Sequence, residues 1–323
     1  MVFGGLRPAR RLVPSRRRRL LTAIAVPVSL ALAACGGAAG TPTSTTSTTA
    51  VAAVDFARMV PIGDSRRVYL QCRGTGSPTV VLVSGTGGAS DEWTDAVDPA
   101  DPTAAPGPSA GAVLPTVASF TRVCAYDRPG TTRDNGELSP STLVPQPTTA
   151  ADGADDLRAV LAGADENGPY VLVGASWGAM ITGLLARTDS DRVSGLVTVD
   201  GASVFLKDTF TPVQWSNWMA VIDEMDAAQG LDIPDYEPSL EEIRAAPALP
   251  DDVPAAVLTS DQPWDLQVAR RSTFPAWLAA QKLLADDLEA RHVTDTDSGH
   301  GIAVEQPQLV SDAIRDVVDH ARD

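Results

Sequence analysis

The sequence predicts an α/β fold, in which a mostly parallel sheet is covered by helices on both faces. Two observations carry this prediction. Short apolar runs rich in β-branched residues alternate along the chain with stretches of helical periodicity, which is typical of a parallel sheet. In addition, a G-x-S-x-G turn at Gly174–Gly178 stands between one such run and a helix-forming stretch.

The predicted strands are short apolar and β-branched runs. In chain order they are Arg66–Cys72, Thr79–Val83, Thr121–Tyr126, Tyr170–Val173, Val193–Val199, Pro254–Thr259 and His292–Thr294. Apolar residues at helical spacing predict a helix over residues 150–161. Pro307 opens a last helix, whose apolar residues as far as Val317 fall on one face.

Residues 201–252 are predicted to form a helical insertion, because they carry helical patterns and no strand. Thr211–Gln214 and Ser239–Glu242 both fit the capping box that opens a helix. In the helix that begins after Thr211, one apolar stripe contains Trp215, Trp218 and Met219. An insertion between two sheet strands is typical of a lid, so these side chains either pack against the main domain or line an acyl pocket.

Residues 1–34 are predicted to be an export signal. Seven arginines, four of them consecutive at Arg16–Arg19, precede the apolar stretch Leu20–Ala34, which is too short for a comfortable membrane span. Small residues before Cys35 resemble a bacterial lipoprotein cleavage box and predict that Cys35 is lipidated. An ordinary signal peptide with an incidental cysteine is the alternative.

Residues 35–54 are expected to be a flexible tether, since after Cys35 they contain neither charged nor aromatic residues that could build a core. Residues 55–323 then form a single domain with the insertion 201–252. We expect a monomer that the N-terminal lipid anchors to the outer face of the cytoplasmic membrane.

The charge balance argues against nucleic acid as a partner. The export signal holds seven of the 25 basic residues and no acidic residue, which leaves 18 basic against 41 acidic residues in the remainder. Such a surface repels phosphate and is typical of a soluble acidic exterior. No cluster of His, Cys or Asp has the spacing of metal ligands, so neither a metal nor another cofactor is expected.

Ser176 is the predicted nucleophile. It occupies the centre of the turn Gly174–Gly178, where glycine on both sides removes Cβ atoms that would clash in a tight strand-to-helix turn. A second G-x-S-x-G match centres on Ser109, but it lies in a region rich in proline and alanine with no strand before it. We therefore interpret Ser109 as a loop residue.

His300 is the predicted general base, because a serine hydroxyl needs a base to take its proton. The chain has three histidines. His292 falls in a predicted strand and His320 at the end of the last helix, and both are interpreted as structural. His300 follows the last strand in a loop with glycine on both sides, where a base can reach a nucleophile at the same edge of the sheet.

A carboxylate should orient His300 and stabilise its protonated form. Asp200 ends the strand that follows the nucleophile, whereas Asp261 and Asp265 follow the next strand. Asp200 is favoured for the following reason. In proteins of this fold, an acid after the later strand usually lies three residues past a glycine-like turn, and counting from Ser260 that position is Pro263 rather than an acid. Asp265 and Asp261 remain alternatives.

Attack on an ester creates an oxyanion, which requires N–H donors already in place. One donor is expected from the amide of Trp177, next to the nucleophile, and the other from Thr86 in the glycine-rich loop Ser84–Gly88. A phosphate-binding loop is the competing interpretation, but no lysine follows this segment and no G-x-G-x-x-G is present.

Together these motifs resemble the α/β-hydrolase family, in particular secreted members from high-GC Gram-positive bacteria. The residues that carry the resemblance are Ser84–Gly88, Cys124–Gly130, Gly174–Gly178 and Ser298–His300. The resemblance covers about residues 58–320 and implies an eight-stranded sheet with strand order 1-2-4-3-5-6-7-8 and a lid after strand 6. It also implies that Cys72 and Cys124 lie on neighbouring strands and form a disulfide, as an oxidising compartment allows.

The expected function is that of a serine hydrolase acting on a small acyl substrate, most simply a carboxylesterase working through an acyl-enzyme. Two alternatives remain open. An aminopeptidase on the same fold needs carboxylates for a substrate ammonium, which Glu237, Glu241 and Glu242 in the insertion could supply. A binding lipoprotein that keeps the fold without catalysis is the other.

Overall fold

An eight-stranded, mostly parallel sheet forms the centre of the computed structural model, which describes residues 54–229, 231–264 and 273–323. Its strands are β1 Phe56–Gly63, β2 Arg66–Arg73, β3 Thr79–Val83, β4 Val123–Asp127, β5 Tyr170–Ala175, β6 Val193–Val199, β7 Ala255–Leu258 and β8 Arg291–Val293. They lie in the order β1-β2-β4-β3-β5-β6-β7-β8. The pairs β1/β2 and β2/β4 are antiparallel and the others are parallel, which confirms the predicted fold class.

Strand β1 is absent from the runs that the sequence pattern predicts. It contains Arg58 and Pro61, and only Val60 among its eight residues is buried. A strand at the edge of a sheet tolerates proline, because one row of its backbone groups needs no partner strand. Its weak apolar signal follows from this edge position.

Helices cover both faces of the sheet. On one face lie α2 Ala150–Gly163, α3 Gly178–Thr188 and α7 Phe274–Asp287, and on the other lie α1 Val113–Ala118, α8 Ile302–Glu305 and α9 Pro307–His320. Alternate residues of β3 belong to different buried clusters, with Val81 facing the first layer and Val80 the second. A strand covered on both faces reads as a continuous apolar run, as β3 and β5 do.

Three helices lie between β6 and β7, within the predicted insertion. They are α4 Leu206–Thr209, α5 Pro212–Gln229 and α6 Tyr236–Ala245. The capping box at Thr211–Gln214 is present. The capping box predicted at Ser239–Glu242 is wrong, because α6 begins at Tyr236 and Ser239 therefore lies inside the helix rather than at its N-cap. Instead, Ser239 Oγ and Glu242 Oε2 accept hydrogen bonds from the first amides of α2.

Cys72 and Cys124 form a disulfide that joins β2 to β4. The two residues are direct partners in the antiparallel register of these strands, and their Cα atoms are 4.1 Å apart. The predicted pairing is therefore present in the structure.

The predicted export signal, Cys35 and the tether up to residue 53 lie outside the described residues. Within the described part of the chain, none of the helices is both long enough and apolar enough to span a membrane.

Candidate active site

The turn after β5 holds Ser176 in a left-handed backbone conformation, with φ at +47°. A Cβ atom on Gly174 would lie 2.5 Å from the carbonyl oxygen of Gly178, and one on Gly178 would lie 2.3 Å from that of Val83. Only glycine fits at either place. The sharp turn between a buried strand and a helix thus presents the hydroxyl of Ser176 at the carboxyl edge of the sheet, as the elbow motif predicts.

The imidazole of His300 contacts the hydroxyl of Ser176 across 124 positions of sequence, with Nε2 2.9 Å from Oγ. His300 follows β8, whose carboxyl end lies at the same edge of the sheet as that of β5. The ring of Trp264 packs against the imidazole, with ring centroids 4.1 Å apart and planes inclined by 30°. The indole of Trp264 therefore covers one face of the imidazole with an apolar surface, which limits the rotation of the His300 ring.

Asp200 binds the other nitrogen of His300. It directly follows β6, has a φ of +43° and is fully buried. Its Oδ2 lies 2.7 Å from Nδ1 of His300, while Oδ1 accepts hydrogen bonds from the amide and hydroxyl of Ser260 and from Nε1 of Trp277. This buried carboxylate is therefore fully engaged, as a buried charge must be.

Asp261, one of the two alternatives, does not contact His300. Its carboxylate accepts hydrogen bonds from the amides of Asp297 and Ser298, which precede His300 in the loop after β8. Desolvation would raise the pKa of Asp261, but these amide hydrogen bonds outweigh it and lower that pKa. Asp261 therefore fixes the loop, and Asp265 lies outside the described residues.

The amides of Thr86 and Trp177 remain available as donors. In the loop after β3, acceptors are already bound by the amides of Gly85, Gly87 and Gly88. The amide of Thr86 has no acceptor among the described residues, and neither has that of Trp177. The loop passes close to the nucleophile, since a Cβ atom on Gly85 would lie 3.1 Å from Cβ of Ser176. Both predicted oxyanion donors thus belong to segments that adjoin the nucleophile.

A cavity of about 460 Å³ opens at Ser176 and His300. Its apolar walls are formed by Trp218, Ile222, Tyr236, Trp264, Trp277 and Val304. Of the three predicted pocket residues, only Trp218 lines the cavity. Trp215 stacks on Trp218 with ring centroids 5.5 Å apart, and Met219 packs against the buried cluster. The prediction is wrong for these two residues, because they support the wall of the cavity and do not line it.

Two acidic residues also line the cavity, and sequence reasoning misses both. Burial raises the pKa of Glu92, against the opposing effects of the Gly85 amide, Ser84 and Arg128. Burial, together with the neighbouring carboxylates Asp91 and Asp95, raises the pKa of Asp134 to about 6. Acidic residues are frequent throughout this sequence, so neither stands out as a signal.

Trp264 and Trp277 are the other site residues that the sequence pattern does not identify. Trp264 lies four residues after Ser260 and donates to its hydroxyl at 2.9 Å. Trp277 belongs to α7, lines the cavity and donates a hydrogen bond from Nε1 to Oδ1 of Asp200. The weak signal for Trp264 is an aromatic residue in a loop at the carboxyl edge, whereas Trp277 falls in an ordinary helical pattern.

Comparison with known proteins identifies the family. The model of the alpha/beta hydrolase family matches residues 80–315, and the chain belongs to this family. Over 98 residues the chain is 37% identical to an uncharacterized protein of Schizosaccharomyces pombe. That match covers 30% of this chain and spans only 17% of the length of the curated relative.

The chain is also similar to solved structures. A thermophilic esterase from Thermogutta terrifontis is 18% identical with a TM-score of 0.52, over 84% of this chain and 100% of that chain. A hydrolase from Pseudomonas aeruginosa PA01 is 18% identical with a TM-score of 0.54, over 81% and 97%. A bromoperoxidase from Bacillus anthracis is 15% identical with a TM-score of 0.52, over 82% and 100%. These likenesses establish a shared fold, which hosts several chemistries.

Proposed function

We propose that the protein is a serine hydrolase that cleaves carboxylic esters through Ser176, His300 and Asp200. The observation that carries this proposal is the hydrogen-bonded path from the Ser176 hydroxyl through both nitrogens of His300 to Asp200. A nucleophile, a base and an orienting carboxylate in this order are the elements that acyl transfer requires.

In the proposed reaction, Ser176 Oγ attacks the ester carbonyl while its proton passes to Nε2 of His300. The amides of Thr86 and Trp177 hydrogen-bond the oxyanion of the tetrahedral intermediate, and Asp200 stabilises the protonated imidazole. His300 then gives the proton to the leaving alkoxide, which departs as an alcohol. A water molecule, deprotonated by His300, releases the acyl group as a carboxylic acid and restores Ser176.

The cavity favours an acyl or alcohol group that is apolar or aromatic. Four of its walls are aromatic side chains, and two of these, Trp264 and Trp277, adjoin the triad directly. A volume of about 460 Å³ is in the range of pockets that enclose small molecules. Rates on p-nitrophenyl esters of increasing chain length should therefore pass through a maximum.

A fluorophosphonate probe tests the assignment of the nucleophile. Such a probe loses fluoride as it bonds to an activated serine, so the wild type should be labelled and Ser176→Ala should not. Ser109→Ala is the matched control, because Ser109 is the centre of the other G-x-S-x-G sequence and its hydroxyl accepts a local hydrogen bond from the amide of Gly111. Labelling that persists in Ser176→Ala would overturn the proposal.

We further propose that the enzyme is exported and anchored to the cell envelope by lipid on Cys35. The signal-like residues 1–34 support this proposal, and the Cys72–Cys124 disulfide is of the kind that persists outside the cytosol. Cys35→Ala should abolish metabolic labelling with palmitate and move the protein from the membrane fraction to the soluble fraction. Unchanged fractionation would contradict the anchor.

An aminopeptidase is the second candidate, favoured by the carboxylates of Glu92 and Asp134 in the cavity wall. The lid residues Glu237, Glu241 and Glu242 are weaker candidates. Glu237 binds Trp215 and Lys207, Glu242 caps α2, and Glu241 is exposed. Parallel rates on p-nitrophenyl esters and aminoacyl anilides separate the two activities.

A further inference from the structure

The loop that carries Thr86 is held by a buried arginine. Arg128, directly after β4, donates hydrogen bonds of 2.7 Å to the carbonyl oxygen of Ser84 and 2.5 Å to that of Gly85. These two carbonyls belong to the peptide groups that precede Thr86 in the chain, and the second one is the peptide that contains the Thr86 amide. The guanidinium of Arg128 therefore fixes the orientation of the proposed oxyanion donor.

Asp232 joins the lid to the same loop. It lies between α5 and α6, and its Oδ2 accepts hydrogen bonds of 2.8 Å from both the amide of Gly87 and Nη2 of Arg128. Arg128 is only 4% exposed and Asp232 only 6%. A buried pair of this kind adds little net stability but is costly to break, so it specifies one geometry.

The backbone around Asp232 is docked on the main domain. The amide of Thr148 donates to the carbonyl of Ile233, and the amide of Asp235 donates to the carbonyl of Thr148. Gly130 has a φ of +88°, and a Cβ atom there would lie 1.7 Å from the carbonyl oxygen of Leu231. Asp232 can therefore reach the amide of Gly87 only when this part of the lid is seated, that is, docked on the main domain.

We propose that Arg128 and Asp232 are positioning residues that couple the seating of the lid to the assembly of the oxyanion hole. The inference rests on the proposed function, since it concerns the Thr86 amide in that reaction. The peptide groups on both sides of Thr86 are held by this pair. When the lid segment leaves, Arg128 loses the carboxylate that it hydrogen-bonds and Gly87 loses its acceptor, so the Thr86 amide is no longer held in the orientation that binds the oxyanion.

Asp232→Asn tests the coupling, because asparagine keeps an oxygen for Gly87 but removes the charge that pairs with Arg128. We expect kcat on a p-nitrophenyl ester to fall about tenfold or more, with KM within about twofold of the wild type. The affinity for a trifluoromethyl ketone should fall in parallel with kcat/KM, because its adduct with Ser176 carries an oxyanion. Arg128→Lys should act in the same direction, since the single nitrogen of an ammonium cannot reproduce the planar fork whose two nitrogens bind Ser84, Gly85 and Asp232.

Asp156→Asn is the matched control. Asp156 forms an ion pair with Arg66 that is also partly buried, yet neither residue contacts the loop that carries Thr86. This variant should lower Tm without changing kcat or the affinity for the ketone. Asp232→Glu keeps the charge and should recover part of the lost kcat. Arg128→Lys serves as the test variant if Asp232→Asn does not fold.

The proposal is overturned if a folded Asp232→Asn keeps both kcat and ketone affinity within about twofold of the wild type. Hydrogen exchange gives a readout that needs no activity. Amides in the peptide covering residues 84–88 should exchange faster in Asp232→Asn than in the wild type or in Asp156→Asn. If the wild type neither reacts with the fluorophosphonate nor turns over esters, the proposed function fails, while the exchange rates still decide whether Asp232 holds the loop.

Discussion

Nε1 of Trp277 donates a hydrogen bond of 2.9 Å to Oδ1 of Asp200, on the carboxylate oxygen opposite to the one that His300 binds. Trp277 is 3% exposed and comes from α7, whereas Asp200 follows β6. A helix on one face of the sheet thus fixes the carboxylate that orients the base.

Trp277→Phe keeps an aromatic ring, smaller than the indole, but removes this donor. A hydrogen bond to a buried charged group contributes about 1.5–3 kcal/mol, so we expect a lower free energy of unfolding and about a tenfold lower kcat. Urea unfolding and steady-state kinetics measure the two effects. Trp215→Phe is the control, because its indole donates to Glu237 and not to the triad. Equal losses of kcat in both variants would contradict the role of Trp277.

Asp200→Asn should abolish most activity, because asparagine cannot stabilise the protonated imidazole and favours the wrong tautomer of His300. The expected loss in kcat is about 10³- to 10⁴-fold. Asp261→Asn should lose less than about tenfold, since Asp261 only fixes the loop before His300. A larger loss in Asp261→Asn than in Asp200→Asn would reverse the assignment of the triad acid.

The sequence indicates Ser176 and His300 because each depends on local pattern: a strand–turn–helix with two glycines, and a histidine in a loop after the last strand. The acid is harder to predict. Asp200 and Asp261 both follow strands that end at the same edge of the sheet, and the loop after β8 decides which of them reaches His300. The structure places Asp200 there and uses Asp261 to hold that loop.

Long-range contacts also explain the other errors. Ser239 fits a capping box by sequence, but its hydroxyl accepts from the amide of Ala150, 89 positions away. Arg128 lies in the segment Cys124–Gly130, whose sequence predicts no role for it, because its partner Asp232 comes from the insertion. No local pattern reveals a partner 104 positions away.

Asp134 gives a pH-dependent stability. Burial, Asp91 and Asp95 raise its pKa from 3.8 to about 6 in the folded protein. Because the folded pKa lies above the unfolded one, its contribution to stability is full below pH 4 and is lost as pH rises through 6. Asp134→Asn cannot ionise and should have a higher Tm than the wild type at pH 7.5, but nearly the same Tm at pH 4.

Thermal unfolding at the two pH values measures this difference, which should shrink in high salt because salt screens the repulsion of Asp134 by Asp91 and Asp95. Asp252→Asn, at another exposed position, is the control and should shift Tm at neither pH. A gain in Tm that is the same at both pH values would mean that ionisation of Asp134 is not its cause.

The Cys72–Cys124 disulfide should contribute to stability and not to catalysis. It closes a segment of 52 positions, for which the loss of chain entropy in the unfolded state corresponds to about 4 kcal/mol. Replacing both cysteines by alanine should lower the free energy of unfolding by about that amount. The kcat at 25 °C should stay the same, because Cys124 lies near the start of β4, away from the carboxyl edge of the sheet that carries the triad and Arg128.

Reduction provides the control for the disulfide. Dithiothreitol should lower the urea midpoint of the wild type and leave that of the double variant unchanged. A double variant as stable as the oxidised wild type would show that the covalent link adds nothing beyond the strand pairing.

Thr86 is expected to act through its backbone amide, which makes its side chain a poor target and proline the informative substitution. Thr86→Pro removes the N–H and should lower kcat by about 10²- to 10³-fold, the usual effect of losing one oxyanion donor. Thr86→Ala keeps the amide and should stay within about threefold of the wild type. Fluorophosphonate labelling and circular dichroism on both variants verify that Ser176 is intact and the protein folded. If Thr86→Pro retained full kcat while folded, the donor would have to come from elsewhere, and the coupling through Arg128 and Asp232 would lose its target.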